Sequence, residues 1–473
     1  MNLSRRRFIF GSGVFSAASA FSPAFRIFAA ALDEVAEPLG AYWKSHLESV
    51  SARVNELARK TVDGFWFITD LHISSNRRQS GKVLAALAGH TSLGKVVCGG
   101  DLPEAFAAKF DTDKAGVDFA LDSYRLFWRE SIEAAGMMLF TAKGNHDYTI
   151  RHSSKSTEGF TYSGREARDF IMSSKGCASA VTNLEDTEAC YYYYDNSQAK
   201  IRYVIADTTD SIDGKATFWA VRSGMHEKQL IWLADQAIST LPAGWSAVVA
   251  HHIPITGCVG TEGEKNTFAS FRNLLEAYQN RGRTTLCGKS YDFASAKGRI
   301  LLDITGHHHG ECQTFQKGIL HVSEPCDAAY GDYILRSKPW CGDLPKKEKG
   351  TIYEQTFDAV QLDPAHDLVY FTRVGGGQNR VIHTNARVIK VGQQISFAPT
   401  HVAGTLTWGC YDADRVEYVS VPGRKFQRNI KYFNTFATIA ETGILTALAP
   451  GEVMVMARDT HLDKEIFPVR IEA

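Results

Sequence analysis

Residues 299–310 read RILLDITGHHHG. A short apolar run ends on a glycine, and three histidines follow before a second glycine. A run of this length, rich in Ile and Leu and bounded by turn residues, reads as a buried strand. Histidines cluster for metal binding, in a polar loop or in a tag, and an internal position right after RILLDI argues against a tag. Working outward, the pattern recurs: similar runs lie at 65–69, 95–98, 137–141 and 247–250. Helical spacing marks 41–58, where Trp43, Leu47, Val50, Val54 and Leu57 recur, and also 116–135 and 225–240. The alternation predicts an α/β layered domain. The five runs lead into Asp70, Asp101, Asn145, His251/His252 and His307. Ligands of open α/β sheets bind beyond the carboxyl ends of strands, so a shared site is expected there.

The chain has 473 residues, enough for two or three domains with large cores. Lys plus Arg balance Asp plus Glu at 52 each, so no global field favours nucleic acid or an anionic membrane. The N-terminus carries three arginines, a modest apolar stretch and then small residues before Leu32. Ser4-Arg5-Arg6-Arg7-Phe8-Ile9 resembles the twin-arginine export signal S-R-R-x-F-L. Residues 1–31 are therefore expected to be a signal peptide cleaved near Ala29-Ala30-Ala31, and the mature protein to be periplasmic or extracellular. The alternative is a basic leader or membrane anchor. The stretch carries Gly, Ser and Pro and falls short of the ~20 apolar residues a spanning helix needs, and no other segment reads as transmembrane. That export route carries folded proteins, so a metal loaded in the cytoplasm would travel inside its site. The nine cysteines show no CxxC spacing, which argues against a zinc ribbon or thioredoxin-type motif. Their odd number leaves at least one thiol unpaired within the chain.

Two strands joined by DPAHD are expected at 353–362 and 368–374, closing a sheet edge, and VGGGQNR (374–380) reads as a tight turn because no helical pattern follows it. Beyond Thr384 short alternating segments with turn residues predict a small β-sandwich. FATIAETGILTALAPGEVMVMARD (436–459) is similar to bacterial immunoglobulin-like domains. That resemblance implies an envelope glycan or protein as a contact of the C-terminal region, and it brings no catalytic residues. The expected organisation is a signal peptide at 1–31, an α/β domain at 32–383 and an all-β immunoglobulin-like domain at 384–473.

The chemical candidates in chain order are TDLH (Asp70, His72), GGD (Asp101), KGNHD (Asn145, His146, Asp147), AHHIP (His251, His252) and GHHH (His307, His309). Each motif alone is weak. Together, mixed Asp, Asn and His donors point to transition metals, and one carboxylate can bridge two cations ~3.5–4 Å apart. The order D-x-H, G-D, G-N-H-D, H-x-P, G-H-x-H resembles that of the calcineurin-like metallophosphoesterases, over about residues 63–310. The resemblance implies a layered β-sandwich flanked by helices. It implies two divalent ions (Mn, Fe or Zn), one held by Asp70, His72 and His309, the other by Asn145, His252 and His307, with Asp101 shared. It further implies that metal-activated hydroxide attacks a phosphomonoester or phosphodiester while His146 meets the leaving group and Asp147 holds the other ring nitrogen of His146. The tandem His251-His252 leaves both as candidates; H-x-P selects His252. The purple acid phosphatases of the same superfamily carry a tyrosine where Glu104 stands here, so an iron–tyrosinate centre is not expected.

His90, His226, His321, His366, His383 and His401 fall outside these motifs and read as ordinary polar residues, while His152 could reach the cleft. Tyr191–Tyr194 reads as a strand with alternating burial. A competing reading from another class is a cell-envelope binding protein with an inactive phosphoesterase domain, although such a protein would not need the full donor set. A nuclease is disfavoured by the neutral charge and the lack of a basic stripe. Substrate choice would reside in loops such as 151–183 and 257–266.

Overall fold

The computed structural model describes residues 38–73, 79–103, 121–122, 124–125, 129–147, 149–151, 159–161, 164–211, 223–256, 266–327, 347–420 and 428–473. The signal-like segment 1–31, Glu104, His152, part of the helix expected at 116–135, and the loop 257–265 lie outside the described residues. Two sheets face each other. In the first, β1 (Asp63–Ile68) runs parallel to β2 (Lys95–Cys98), and β2 parallel to β3 (Met138–Thr141). The second contains β4 (Val181–Thr182), β5 (Tyr192–Asn196), β6 (Ile201–Ile205), β7 (Ser246–Ala250), β8 (Arg299–Thr305), β9 (Cys312–Gln316) and β10 (Ile319–Ser323). Their order is β9-β10-β8-β7-β6-β5-β4, with β6, β7, β8 and β10 parallel.

Continuous apolar runs form these strands because both faces are covered. Phe65, Phe67, Val97 and Phe140 of the first sheet meet Tyr203, Ile205, Val248, Leu302 and Ile304 of the second in one core. On the outer face of the first sheet pack α1 (Lys44–Leu57) and α2 (Ser80–Ala88). On the outer face of the second pack α3 (Glu227–Trp232, continuing as a π turn over Leu233–Ile238) and α4 (Asn266–Gln279). Consecutive tyrosines divide as a strand requires: Tyr192 enters the inter-sheet core, and Tyr191 the helix-covered face. Among the described residues no helix is long and apolar enough to cross a membrane.

The DPAHD hairpin is central rather than at an edge. Its arms, β11 (Thr356–Asp363) and β12 (Leu368–Gly375), are buried along their whole length. β11 pairs with β1 on one side, and β12 pairs with β13 (Arg380–His383) on the other. The sheet continues into the C-terminal region, whose strands include, beside a hairpin of Val416–Ser420 with Arg428–Tyr432, β14 (Arg387–Lys390), β15 (Gln394–Ser396), β16 (Thr407–Asp412), β17 (Ala437–Ile439), β18 (Ile444–Ala447), β19 (Gly451–Arg458) and β20 (Lys464–Glu472). The order of the ten-stranded sheet is β16-β19-β20-β13-β12-β11-β1-β2-β3, with β14 also on β20. One half of β20 pairs with β13 and the other half with β14. A second β layer, β15-β18-β17, packs on this extension through Leu445, Val455 and Phe467. The C-terminal region is thus β-rich as expected, but it shares a sheet with the α/β part. Tyr411, Met454, Met456 and Ile466 lie in the same core as Phe65 and Leu302. Cys98, Cys177, Cys190, Cys287 and Cys410 are free thiols; Cys258 and Cys341 lie outside the described residues.

Candidate metal centre

The parallel strands of both sheets end at one rim, and the loops leaving them carry the candidate side chains. Five non-glycine residues on these loops adopt left-handed backbone: Asp70 (φ 55°), His72 (45°), Asp101 (56°), His307 (72°) and His309 (57°). Such conformations are uncommon outside glycine, and in functional sites they persist because the surroundings over-determine them. Here two glycines let the loops close on each other. A Cβ on Gly144 would strike the carboxylate and backbone nitrogen of Asp101, and one on Gly306 would strike the hydroxyl of Thr69 and Oδ2 of Asp70.

The side chains form two groups. In the first, His309 Nε2 lies 3.1 Å from Asp70 Oδ1 and 3.2 Å from His72 Nε2. Asp70 Oδ2 accepts from the Thr69 hydroxyl (2.6 Å) and the His307 amide (2.9 Å). Its Oδ1, though buried, faces the His309 ring nitrogen and no other hydrogen-bond donor among the described residues. In the second, His252 Nε2 lies 3.2 Å from Asp101 Oδ2, 3.1 Å from Asn145 Oδ1 and 3.3 Å from His307 Nδ1. His252 Nδ1 is 2.8 Å from the Gly99 carbonyl, a partner that can only accept, so Nδ1 carries a proton. In the neutral ring Nε2 then presents a lone pair to the group. Asp101 joins the two groups, standing with His252 and His307 on one side and with His72 and His146 on the other.

These donors fit divalent cations. A buried carboxylate oxygen facing no donor other than a ring nitrogen and several imidazole nitrogens converging within 3.3 Å are what a ligand shell looks like when the remaining contacts go to metal. The electrostatics agree. Burial would raise the Asp101 carboxyl, yet His252 and His146 hold it well below its ordinary range. Burial would lower His252, but Asp101 and Asp70 push it up to about 9. Burial and the neighbouring His146 and His309 take His72 down to about 3. The pocket is a sink for positive charge.

Other side chains hold the groups in place. His146 donates its backbone N–H to Asp101 Oδ1 (2.7 Å), and its ring packs edge-on to His72 at 4.8 Å. Its Nε2 is 3.8 Å from Asp101 Oδ2, and its side chain is 16% exposed against 0% for His252. Asp147 does not hold the ring of His146. Its carboxylate accepts instead from the amides of Asp101 (3.0 Å), Leu102 (2.8 Å) and Gly144 (2.8 Å). Three backbone donors turned inward by these tight loops outcompete one ring nitrogen, so Asp147 ties the GGD loop to the GNHD loop. His251 turns away from the cluster: its Nε2 lies 2.6 Å from Asp303 Oδ1, and Asp303 Oδ2 lies 2.7 Å from His321 Nδ1, all three side chains fully buried. His308 donates its amide to the Gly306 carbonyl, and its ring stacks edge-on to His307.

Asp303 and the loop after β6, Asp207-Thr208-Thr209, stand outside the sequence motifs, and His321, an ordinary polar residue by sequence, is part of a buried trio with Asp303 and His251. The run IRYVI at 201–205, leading into ADTTD, carries the same strand-then-polar-loop signal as the five runs that were singled out.

No protein-family model and no curated protein matches this chain. Similar solved structures include a dimetal phosphatase from Danio rerio, with TM-score 0.44 and 15% identity, covering 69% of this chain and 100% of that one. Another is the phosphopantetheinyl hydrolase PptH of Mycobacterium tuberculosis, with TM-score 0.29 and 12% identity, covering 56% and 91%. A third is GAP50, described as the anchor in the inner membrane complex of Plasmodium, with TM-score 0.35 and 11% identity, covering 65% and 84%. Two are described by hydrolysis and one by anchoring; function has to be read from the donor set, not from the likeness.

Proposed function

We propose that this protein is a phosphoesterase of the calcineurin-like superfamily that uses two divalent cations to hydrolyse a phosphomonoester or phosphodiester. The observation that carries the reading is the convergence of two donor groups on one shared carboxylate, Asp101. Asp70, His72 and His309 would hold one cation and Asn145, His252 and His307 the other. When bound, such a pair neutralises phosphate oxygens and acidifies a water for in-line attack at phosphorus. The chain's own contribution is placement. Asp70 is locked through Oδ2 so that Oδ1 is the donor. The Gly99 carbonyl selects the His252 tautomer. His146, the more open ring beside Asp101, meets the departing oxygen and supplies its proton.

The reading extends to export by the twin-arginine route to the periplasm or outside, supported by the Ser4–Ile9 pattern. It also gives the C-terminal β region a contact with an envelope glycan or protein, supported by its immunoglobulin-like turn. The neutral net charge favours a small ester over nucleic acid. Hydrolysis of mono- and bis-p-nitrophenyl phosphate by manganese-replete protein tests the reading and separates the two ester classes. Absence of turnover on both with Mn, Fe and Zn overturns it in favour of a binding protein.

A further inference from the structure

Between β3 and Asn145 stand only Ala142, Lys143 and Gly144. Gly144 has no side chain with which to fix itself, so the placement of Asn145 depends on its neighbours. On the far side Asp147 serves, through the amide of Gly144. On the near side is Lys143, a lysine only 3% exposed, whose ammonium lies 2.6 Å from Asp207 Oδ2.

Asp207 is itself immobilised. Its backbone N–H donates to Gln229 Oε1 (2.9 Å), its carbonyl accepts from Gln229 Nε2 (2.9 Å), and its Oδ1 accepts from the amide and hydroxyl of Thr209 (2.9 Å each). The same loop reaches both ligand loops of the second group. The Thr209 hydroxyl oxygen, whose proton goes to Asp207 Oδ1, lies 3.4 Å from the Lys143 carbonyl, and the Thr208 hydroxyl accepts from the amide of Ile253, the residue after His252. Asn145 and His252, whose donor atoms are 3.1 Å apart, are thus held from one strand end. The first group is anchored elsewhere: Asp70 and His72 donate their amides to the carbonyls of Gly100 and Asp101.

We infer that the buried Lys143–Asp207 pair, which ties the loop after β3 to the loop after β6, is a positioning element for the second cation, setting Asn145 against His252 without touching substrate or metal. This rests on the dinuclear reading. Partners behind metal ligands typically change metal affinity by about 10–100-fold, and here the loss should fall on one cation of the two.

The test titrates Mn²⁺ into metal-free full-length protein, wild type and the variants Lys143→Met, Asp207→Asn and Lys143→Met/Asp207→Leu. Stoichiometry is followed by calorimetry, and the spin-coupled signal of a manganese pair by electron paramagnetic resonance. Circular dichroism of the metal-free proteins checks folding. The expected result in each folded variant is one equivalent bound as in wild type, a second weakened about 10–100-fold, and an isolated-ion spectrum in place of the coupled one at matched Mn²⁺. Lys143→Arg, which keeps the charge, should restore most of the second binding event. The apolar pair covers the case in which a single change leaves one buried charge alone and prevents folding. Two tight equivalents in any folded variant, equal weakening of both, or failure of all three to fold overturns the inference. Wild type that never binds two equivalents fails the dinuclear reading instead.

Discussion

His252 Nε2 has three polar neighbours within 3.3 Å, and a ring nitrogen makes at most one hydrogen bond. That excess of partners is the residue-scale argument for a cation. It carries a pH consequence. His252 titrates near 9, raised by Asp101 and Asp70 against the opposing effect of burial, so without metal it is protonated at pH 7. A cation must displace that proton. Metal binding at pH 7 should release protons, and affinity should rise with pH up to about 9. Calorimetry in buffers of different ionisation enthalpy measures the release; a buffer-independent heat would refute it. On the proposed mechanism, in which the ring serves the leaving group and not the ligand shell, His146→Ala should slow turnover by about 10²–10⁴-fold with metal content unchanged. Full activity in that variant removes His146 from the mechanism.

At the scale of elements, the site is a meeting of strand ends. The sequence reading found five because glycine and polar residues follow apolar runs, and the structure adds the end of β6. Which of two adjacent histidines faces the cluster was not legible in AHHIP beyond the proline spacing. Alternation along the chain sends His252 to the site and His251 to Asp303 on β8. Among the described residues the Asp303 carboxylate faces the two histidines alone. Asp303→Asn replaces one acceptor oxygen by an amide donor and leaves one buried polar contact unmade, so it should destabilise the protein by about 1–3 kcal/mol. Thermal or urea unfolding reads this, and an unchanged midpoint would show the pair to be dispensable. Gly306→Ala should disturb both donor groups at once, because the added methyl meets Thr69 and Asp70 of the first, while Gly306 adjoins His307 and donates its amide to the His252 carbonyl in the second. Loss of both metal equivalents is expected, in contrast to the selective loss predicted for Asp207→Asn.

Over the whole molecule, a buried ion network joins the two sheets and the C-terminal region just behind GHHHG. Arg373 bridges Glu311 (2.7 Å) and Asp358 (2.8 Å), Arg380 bridges Glu324 (2.7 Å) and Asp358 (2.6 Å), and Lys464 of β20 reaches Glu311 (2.8 Å). Burial would raise Glu311, but Arg380, Lys464 and Arg373 hold it well below the ordinary carboxylate range. A depressed carboxyl contributes stability above its unfolded value, about pH 4.3, and loses it as pH falls below. Glu311→Gln should lower stability at neutral pH and flatten the acid limb of the stability curve. Because β20 pairs with β13 and its neighbours fill the common core, a fragment ending at residue 383 should not fold as an independent domain. Expression of residues 32–383 checks this; a soluble, cooperatively unfolding fragment would support the two-domain division.

The sequence by itself determined the alternation of buried strands and helices, the order of the motifs, the donor types and the neutral overall charge. Those properties are local: hydrophobic period and residue chemistry can be read within a window of a few residues. Only the tertiary structure decided that the DPAHD hairpin lies inside the sheet, that C-terminal strands complete it, that Asp147 serves backbone amides, and that Lys143 and Asp207 form a buried pair. Strand partners and buried charge pairs join residues far apart in the chain. Whether Lys143 meets water or Asp207 is settled by packing, and an isolated KGNHD carries no trace of it.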